Sequence, residues 1–156
     1  MSIFALLAPV PHVHLESAEE TLKAHGSVAF GSRAFDVFGD LNALIQQHGV
    51  PSVNVYIYAS HKKEDDALVV SWKGRYQGIC DPLKLDPKLR PDSAKHEDAD
   101  KKFETRWLLY WLVSDLQRLP PSQQVNISDF VSYPTKMGRD KWYIPRGPEL
   151  VSELIG

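Results

Sequence analysis

The sequence predicts an α+β fold, a single domain over residues 1–156 built on a curled, mostly antiparallel sheet with helices set against it. Three observations carry that expectation. Two segments, near 17–25 and 34–48, carry helical signals and are each followed by a glycine. Residues 53–60 alternate apolar and polar with a period of two, and further strand-like runs follow. A chain of 156 residues that is 43% hydrophobic and 24% charged can bury one sizeable core without a disulfide or metal staple.

The elements follow in chain order. Ile3–Ala8 is an apolar run too short for a helix and stopped by proline, so it reads as a buried strand ending at Pro9. Ser17-Ala18-Glu19-Glu20 has the spacing of a capping box, which starts a helix over 17–25 with Leu22 inward and Gly26 as its left-handed stop. Ser27–Gly31 is a short strand entering a turn. From 34 to 48, Phe35, Phe38, Leu41, Leu44 and Ile45 recur at helical spacing, which places Phe35 and Phe38 in the core, and Gly49 and Pro51 close the helix.

Val53, Val55, Ile57 and Ala59 share one strand face, and Asn54, Tyr56, Tyr58 and Ser60 share the other. Residues 61–66 are charged and form a solvated connection. A strand resumes at 67–72 and continues through Lys73–Ile79, where Gly74 and Gly78 mark a bulge, a bend or the close approach of another backbone. Residues 81–104 are rich in proline and charge, a long loop of the kind that is functional or mobile. Residues 106–113 are the most hydrophobic run. Periodicity leaves strand and helix open there, while its aromatics and the nearby Pro120-Pro121 favour a strand. A short segment at 125–127, another at 141–144, and a final helical turn or two over 149–155 complete the reading.

Charge narrows the function. Eighteen basic and twenty acidic residues give a net charge of −2, so any nucleic acid must be held by a local patch or a pocket and not by a wholly basic surface. The single cysteine, Cys80, fits a reducing compartment, and no stretch approaches the roughly 20 apolar residues of a membrane span. The opening apolar stretch lacks a preceding Lys or Arg and makes a poor signal peptide. The expected location is cytoplasmic, with no membrane partner.

Catalytic and metal signatures are missing from the sequence. His12 and His14 are the one close histidine pair. On a strand they would face one side, but no third ligand is evident, so no metal or other cofactor is expected. There is no nucleophile elbow and no glycine-rich phosphate loop, and Cys80 sits beside Asp81, which disfavours its thiolate and makes it a small buried hydrophobe. The informative set is aromatic and polar: Tyr56, Tyr58 and Ser60 on one strand face, then Trp72, Lys73, Arg75 and Tyr76 on the expected neighbour. Such a set can stack a planar ring and read its edge. The alternative is that these aromatics pad a sheet against a helix.

The run Val53-Asn54-Val55-Tyr56-Ile57-Tyr58-Ala59-Ser60, followed by Val69-Val70-Ser71-Trp72-Lys73-Gly74-Arg75-Tyr76-Gln77-Gly78-Ile79, resembles the PUA-like superfamily, most nearly its EVE-type members, with ASCH and YTH domains as relatives. The strand beginning at Trp107 and leading into Asp115-Leu116 fits the same order. The resemblance implies a pseudo-barrel with flanking helices and a pocket for a plain or modified base, lined by Phe30, Ser32, Tyr58, Ser60 and Trp72, with Arg75 on a phosphate. The Gly-x-Lys-x-x-Glu-x-Arg signature of ASCH domains is missing. A DNA- or RNA-binding module without chemistry is the first expectation. The alternatives are a nucleoside or nucleotide hydrolase using Lys73 with Asp81 or Glu104, and a protein-interaction domain using the 81–104 loop.

Overall fold

The computed structural model describes residues 3–60, 69–95, 107–135, 138, 145 and 147–154. In chain order the elements are β1 (Phe4–Pro11), α1 (His12–His25), β2 (Ser27–Ser32), α2 (Phe35–His48), β3 (Asn54–Ser60), β4 (Val69–Cys80), β5 (Leu109–Arg118), β6 (Val125–Asn126) and β7 (Glu149–Ser152). They form one α+β domain on a seven-stranded mixed sheet. Six strands lie in the order β2-β5-β4-β3-β1-β7, and β6 pairs with β4 off that path. The β1/β3 pair is parallel and every other pairing is antiparallel. Among the described residues the sheet does not close, and β2 and β7 are its two ends.

Strand β1 is buried on both faces, as its unbroken apolar run requires, and it extends past Pro9 to Pro11. Along β1, β7 reaches only Phe4–Leu7, so Pro9 and Pro11 lie where β1 has lost that neighbour. A proline without an N–H is tolerated on such an edge.

Helix α1 begins at His12, five residues before the expected start. Its N-cap is Pro11 with no side-chain cap bond. Ser17 therefore caps nothing in its own helix, and its hydroxyl accepts from the Ser93 N–H at 3.1 Å. The helix stops at Gly26, in the left-handed region as expected, whose N–H bonds the Leu22 carbonyl. Helix α2 buries Phe38 and Leu41, but Phe35 stands 58% exposed at its first position. The helical period included Phe35 in the apolar stripe, and the structure leaves it outside the core.

The sheet separates two apolar layers. Phe4, Leu6, Val28, Phe30, Ile57, Trp72, Trp111 and Val113 pack beneath Leu15 and Ala18 of α1 and Phe38 and Leu41 of α2. On the opposite face Ala5, Leu7, Tyr56, Tyr58, Val70 and Val151 are covered by Ile127 and Phe130. Each fully buried side chain of this size contributes about 1.5–3 kcal/mol.

The apolar run after 106 is a strand, β5, paired with both β2 and β4. The glycines of β4 do what a strand glycine can do. Gly78 adopts φ 109° at a bulge opposite Leu112, where Gln77 is the extra residue. Gly74 lets β5 approach so closely that a Cβ there would lie 2.5 Å from Val113 Cγ1. A second bulge, on β5, is set by Asp115 at φ 51°.

Three expectations change. Residues 149–152 are strand β7 and not helix, because β1 offers Phe4–Leu7 an unfilled ladder that four residues of any modest propensity complete. The short segment expected at 125–127 divides into strand β6 at Val125–Asn126 and a 3-10 turn that opens at Ile127. The described part of the long loop, 81–95, is fastened down: a 3-10 turn at Pro87–Leu89 and helical residues 92–95 lie against α1 and the β2 edge. Thr21 donates to the Arg90 carbonyl, Arg90 Nη1 donates to the Ala29 carbonyl at 2.8 Å, and the guanidinium stacks 4.7 Å from the Tyr110 ring centre. The expected segments at 61–66, 96–104 and 141–144 lie outside the described residues.

A candidate anion-binding strip on the sheet face

Cross-strand register places the strip. Asn54 lies opposite Arg75 and Tyr56 opposite Lys73 in the antiparallel β3/β4 pair, so all four side chains share the sheet face away from the helices. On β5, Ser114 lies opposite Arg75 and Gln117 opposite Lys73. The cover supplied by Ile127 and Phe130 reaches Tyr56, whose ring lies 5.2 Å from that of Phe130. Beyond it the face carries exposed Lys73, Gln77 and Gln117 and half-buried Arg75 and Ser114.

Arg75 is held by two acceptors. Nη1 donates to Asn54 Oδ1 at 2.8 Å and Nη2 to the Ser52 carbonyl at 3.2 Å. Asn54 is itself fixed, because its amide donates to Glu153 Oε1. The other oxygen of Glu153 accepts from the Tyr56 hydroxyl at 2.8 Å and the Leu154 N–H at 3.0 Å. The one carboxylate of this network is thus engaged by neutral donors, and among the described residues neither Arg75 nor Lys73 forms an ion pair. A guanidinium has five N–H groups; two are bonded here, which leaves three without a partner among the described residues. The Lys73 ammonium lies 5.6 Å from the centre of the Tyr56 ring. Burial, then the bond to Glu153, pushes the Tyr56 hydroxyl well above its ordinary value, so Tyr56 remains a neutral donor at neutral pH. Farther along, Gln77 Nε2 donates to Ser114 Oγ at 2.6 Å.

Of the six residues expected at a base site, five lining the pocket and Arg75 on a phosphate, Arg75 alone belongs to this strip. Phe30 and Trp72 lie in the helix-side layer, 3% and 2% exposed. The Phe30 ring packs 5.3 Å from Trp111, and the Arg118 guanidinium lies 5.0 Å from the Trp72 ring centre. Tyr58 is buried on the opposite face with Val70 and Ile127. Strand alternation is the reason: Trp72 pairs with Ile57 and shares its face, while Tyr58 must point the other way. Ser32 is buried, and its Oγ accepts the Ala34 N–H at the entry to α2. Ser60 ends β3 opposite Pro11. The six do not converge on one cavity.

A cleft of about 550 Å³ lies elsewhere, between Val37 and Asp40 of α2, Ser132 and Tyr133, and Glu149 and Leu150 of β7. Its described lining contains carboxylates and no cation, a poor setting for phosphate.

The other chemical candidates are also placed. Lys73 and Asp81 are eight residues apart along an extended strand, roughly 26 Å at 3.3 Å per residue, so they do not converge; Glu104 lies outside the described residues. His12 and His14 sit on the first turn of α1, where residues two apart point to different sides. His12 Nε2 pairs with Glu16 at 2.6 Å and His14 Nδ1 with Ser93 Oγ at 2.7 Å, and no cluster of metal-ligating groups occurs among the described residues. Cys80 is half-buried, less enclosed than expected.

Sequence reasoning missed Glu153 and its bonds to Asn54 and Tyr56. The period-two pattern does show that Asn54 and Tyr56 share a face, but no local signal connects them to a residue nearly a hundred positions away. Comparison with protein-family models, with curated proteins and with solved structures found no match.

Proposed function

We propose that the protein is a binding module for nucleic acid or a nucleotide, without chemistry of its own, that engages its ligand on the strip around Lys73 and Arg75. The same reading takes the curled sheet as a PUA-like pseudo-barrel, most nearly of EVE type. The observation that carries it is a half-buried guanidinium and a neighbouring ammonium that share one sheet face and have no carboxylate partner among the described residues. Buried or partly buried charges are ordinarily paired, and a phosphate oxygen supplies the missing partner in a charge-assisted bond. The amides of Gln77 and Gln117 and the hydroxyl of Ser114 flank the cations and offer donors and acceptors to a base edge. With a net charge of −2, the protein must hold any phosphate locally, which a two-cation strip does.

Anisotropy titration of labelled RNA and DNA oligonucleotides and of labelled nucleotides, at low salt, tests the proposal. Lys73→Gln and Arg75→Gln are each expected to weaken binding about tenfold or more, the scale of one lost bond to a charged group at roughly 1.5 kcal/mol. Saturable binding to none of these ligands, or binding that both variants leave intact, would overturn it.

A further inference from the structure

The Arg75 fork is oriented by a chain of bonds that ends at Glu153. Asn54 Oδ1 fixes one arm of the guanidinium, the Asn54 amide is turned by Glu153, and Glu153 is held by the Tyr56 hydroxyl and the Leu154 N–H. The donor-only guanidinium already turns Asn54 Oδ1 toward itself, and Glu153 holds the other end of that amide, so without Glu153 the side chain that orients Arg75 loses its second anchor. The strip also has a definite size. From Lys73 to Gln77 the strand rises about 13 Å at 3.3 Å per residue, and the described residues place only Lys73 and Arg75 as cations along it.

We infer that the ligand is a phosphate-bearing nucleotide or short single strand held through no more than two phosphates, and that Glu153, acting through Asn54, is the positioning residue that presets Arg75 for one of them. This rests on the nucleotide-binding reading above and narrows it. A nucleoside lacks the group that Arg75 is set to receive. A duplex gains nothing from so short a track, since the described face offers no helix or ribbon to enter a groove.

The test uses the full chain against a nucleoside, its monophosphate, single strands of two, four and eight nucleotides, and a blunt duplex. The monophosphate is expected to bind at least tenfold more tightly than the nucleoside, with affinity levelling off beyond the shortest strands. The slope of log K against log salt should be about −1.4, because each phosphate on a single strand contributes about −0.7. Glu153→Gln should lower the ratio of monophosphate to nucleoside affinity while leaving nucleoside affinity and the melting temperature unchanged, an effect that a purely structural role would not produce. Asn54→Ala is the second variant, should Glu153→Gln fold poorly. A slope of about −2 or steeper, which needs at least three phosphates, or an unchanged ratio in the folded variants, overturns the inference. Nucleosides binding as tightly as nucleotides would overturn it while leaving base binding intact; binding of neither overturns the functional reading itself.

Discussion

Gly74 is the residue on which the close approach of β4 and β5 depends, and replacing it with alanine measures that dependence. A Cβ at position 74 would lie 2.5 Å from Val113 Cγ1, 3.1 Å from the Ser114 carbonyl oxygen and 3.3 Å from Leu116 Cδ1. The nearest neighbour belongs to a β-branched side chain that is fully buried, and the second is backbone in a paired strand, so neither can move cheaply. Overpacking of this kind costs roughly 1–3 kcal/mol. At about 2–4 °C per kcal/mol for a chain of this length, Gly74→Ala should melt roughly 2–12 °C below the parent. Gly39→Ala is the matched control. It lies in the exposed middle of α2 with nothing within 4 Å of the added Cβ, and alanine there gains up to about 1 kcal/mol of helix propensity. Both substitutions restrict the unfolded chain to a similar extent, so opposite signs isolate the tertiary clash. Urea unfolding with m held constant is the assay. A Gly74→Ala protein as stable as the parent, or more stable, would refute the packing argument.

Three further outcomes follow from the same coordinates. Phe38→Ala should cost about 3–5 kcal/mol in urea unfolding, because the ring is fully buried between Tyr76 and Trp111, whereas Phe35→Ala at 58% exposure should stay within about 0.5 kcal/mol of the parent. Stability should fall as pH rises above 10, by up to about 1.4 kcal/mol per pH unit for each of Tyr56 and Tyr76, and Tyr56→Phe and Tyr76→Phe should each remove one share of that slope. The sign follows because burial raises both hydroxyls above their ordinary value of 10.0, so the folded chain keeps protons that the unfolded chain releases; urea midpoints from pH 9 to 11 check it. Arg90→Leu should lose about 1–3 kcal/mol, since it leaves the Ala29 carbonyl without its buried donor, and should increase proteolysis of the 81–95 segment relative to the parent.

The sequence by itself determined the elements whose cause is local. Gly26 and Gly49 end their helices because a residue without a Cβ enters the left-handed region cheaply, and both do so here. Asn54–Ser60 is a strand with Val55 and Ile57 on one face and Tyr56 and Tyr58 on the other, because a period of two has only one regular geometry. Gly74 and Gly78 were legible as a bulge, a bend or a close approach, and the structure makes Gly74 the close approach and Gly78 the bulge.

The tertiary structure decided what no local pattern encodes. The strand at Glu149–Ser152 was set by a partner far along the chain, Phe4–Leu7, and Ser17 meets Ser93 instead of capping its own helix. Alternation shows that Tyr58 and Trp72 each face some side of the sheet. Only the pairing of Trp72 with Ile57 shows that the two lie on opposite sides, which separates the expected pocket residues. Arg75 is an ordinary arginine in the sequence; among the described residues its charge has no carboxylate partner, and Glu153 is engaged by Asn54, Tyr56 and Leu154. Periodicity fixes which way a side chain points along its own strand, and long-range pairing fixes what it meets there.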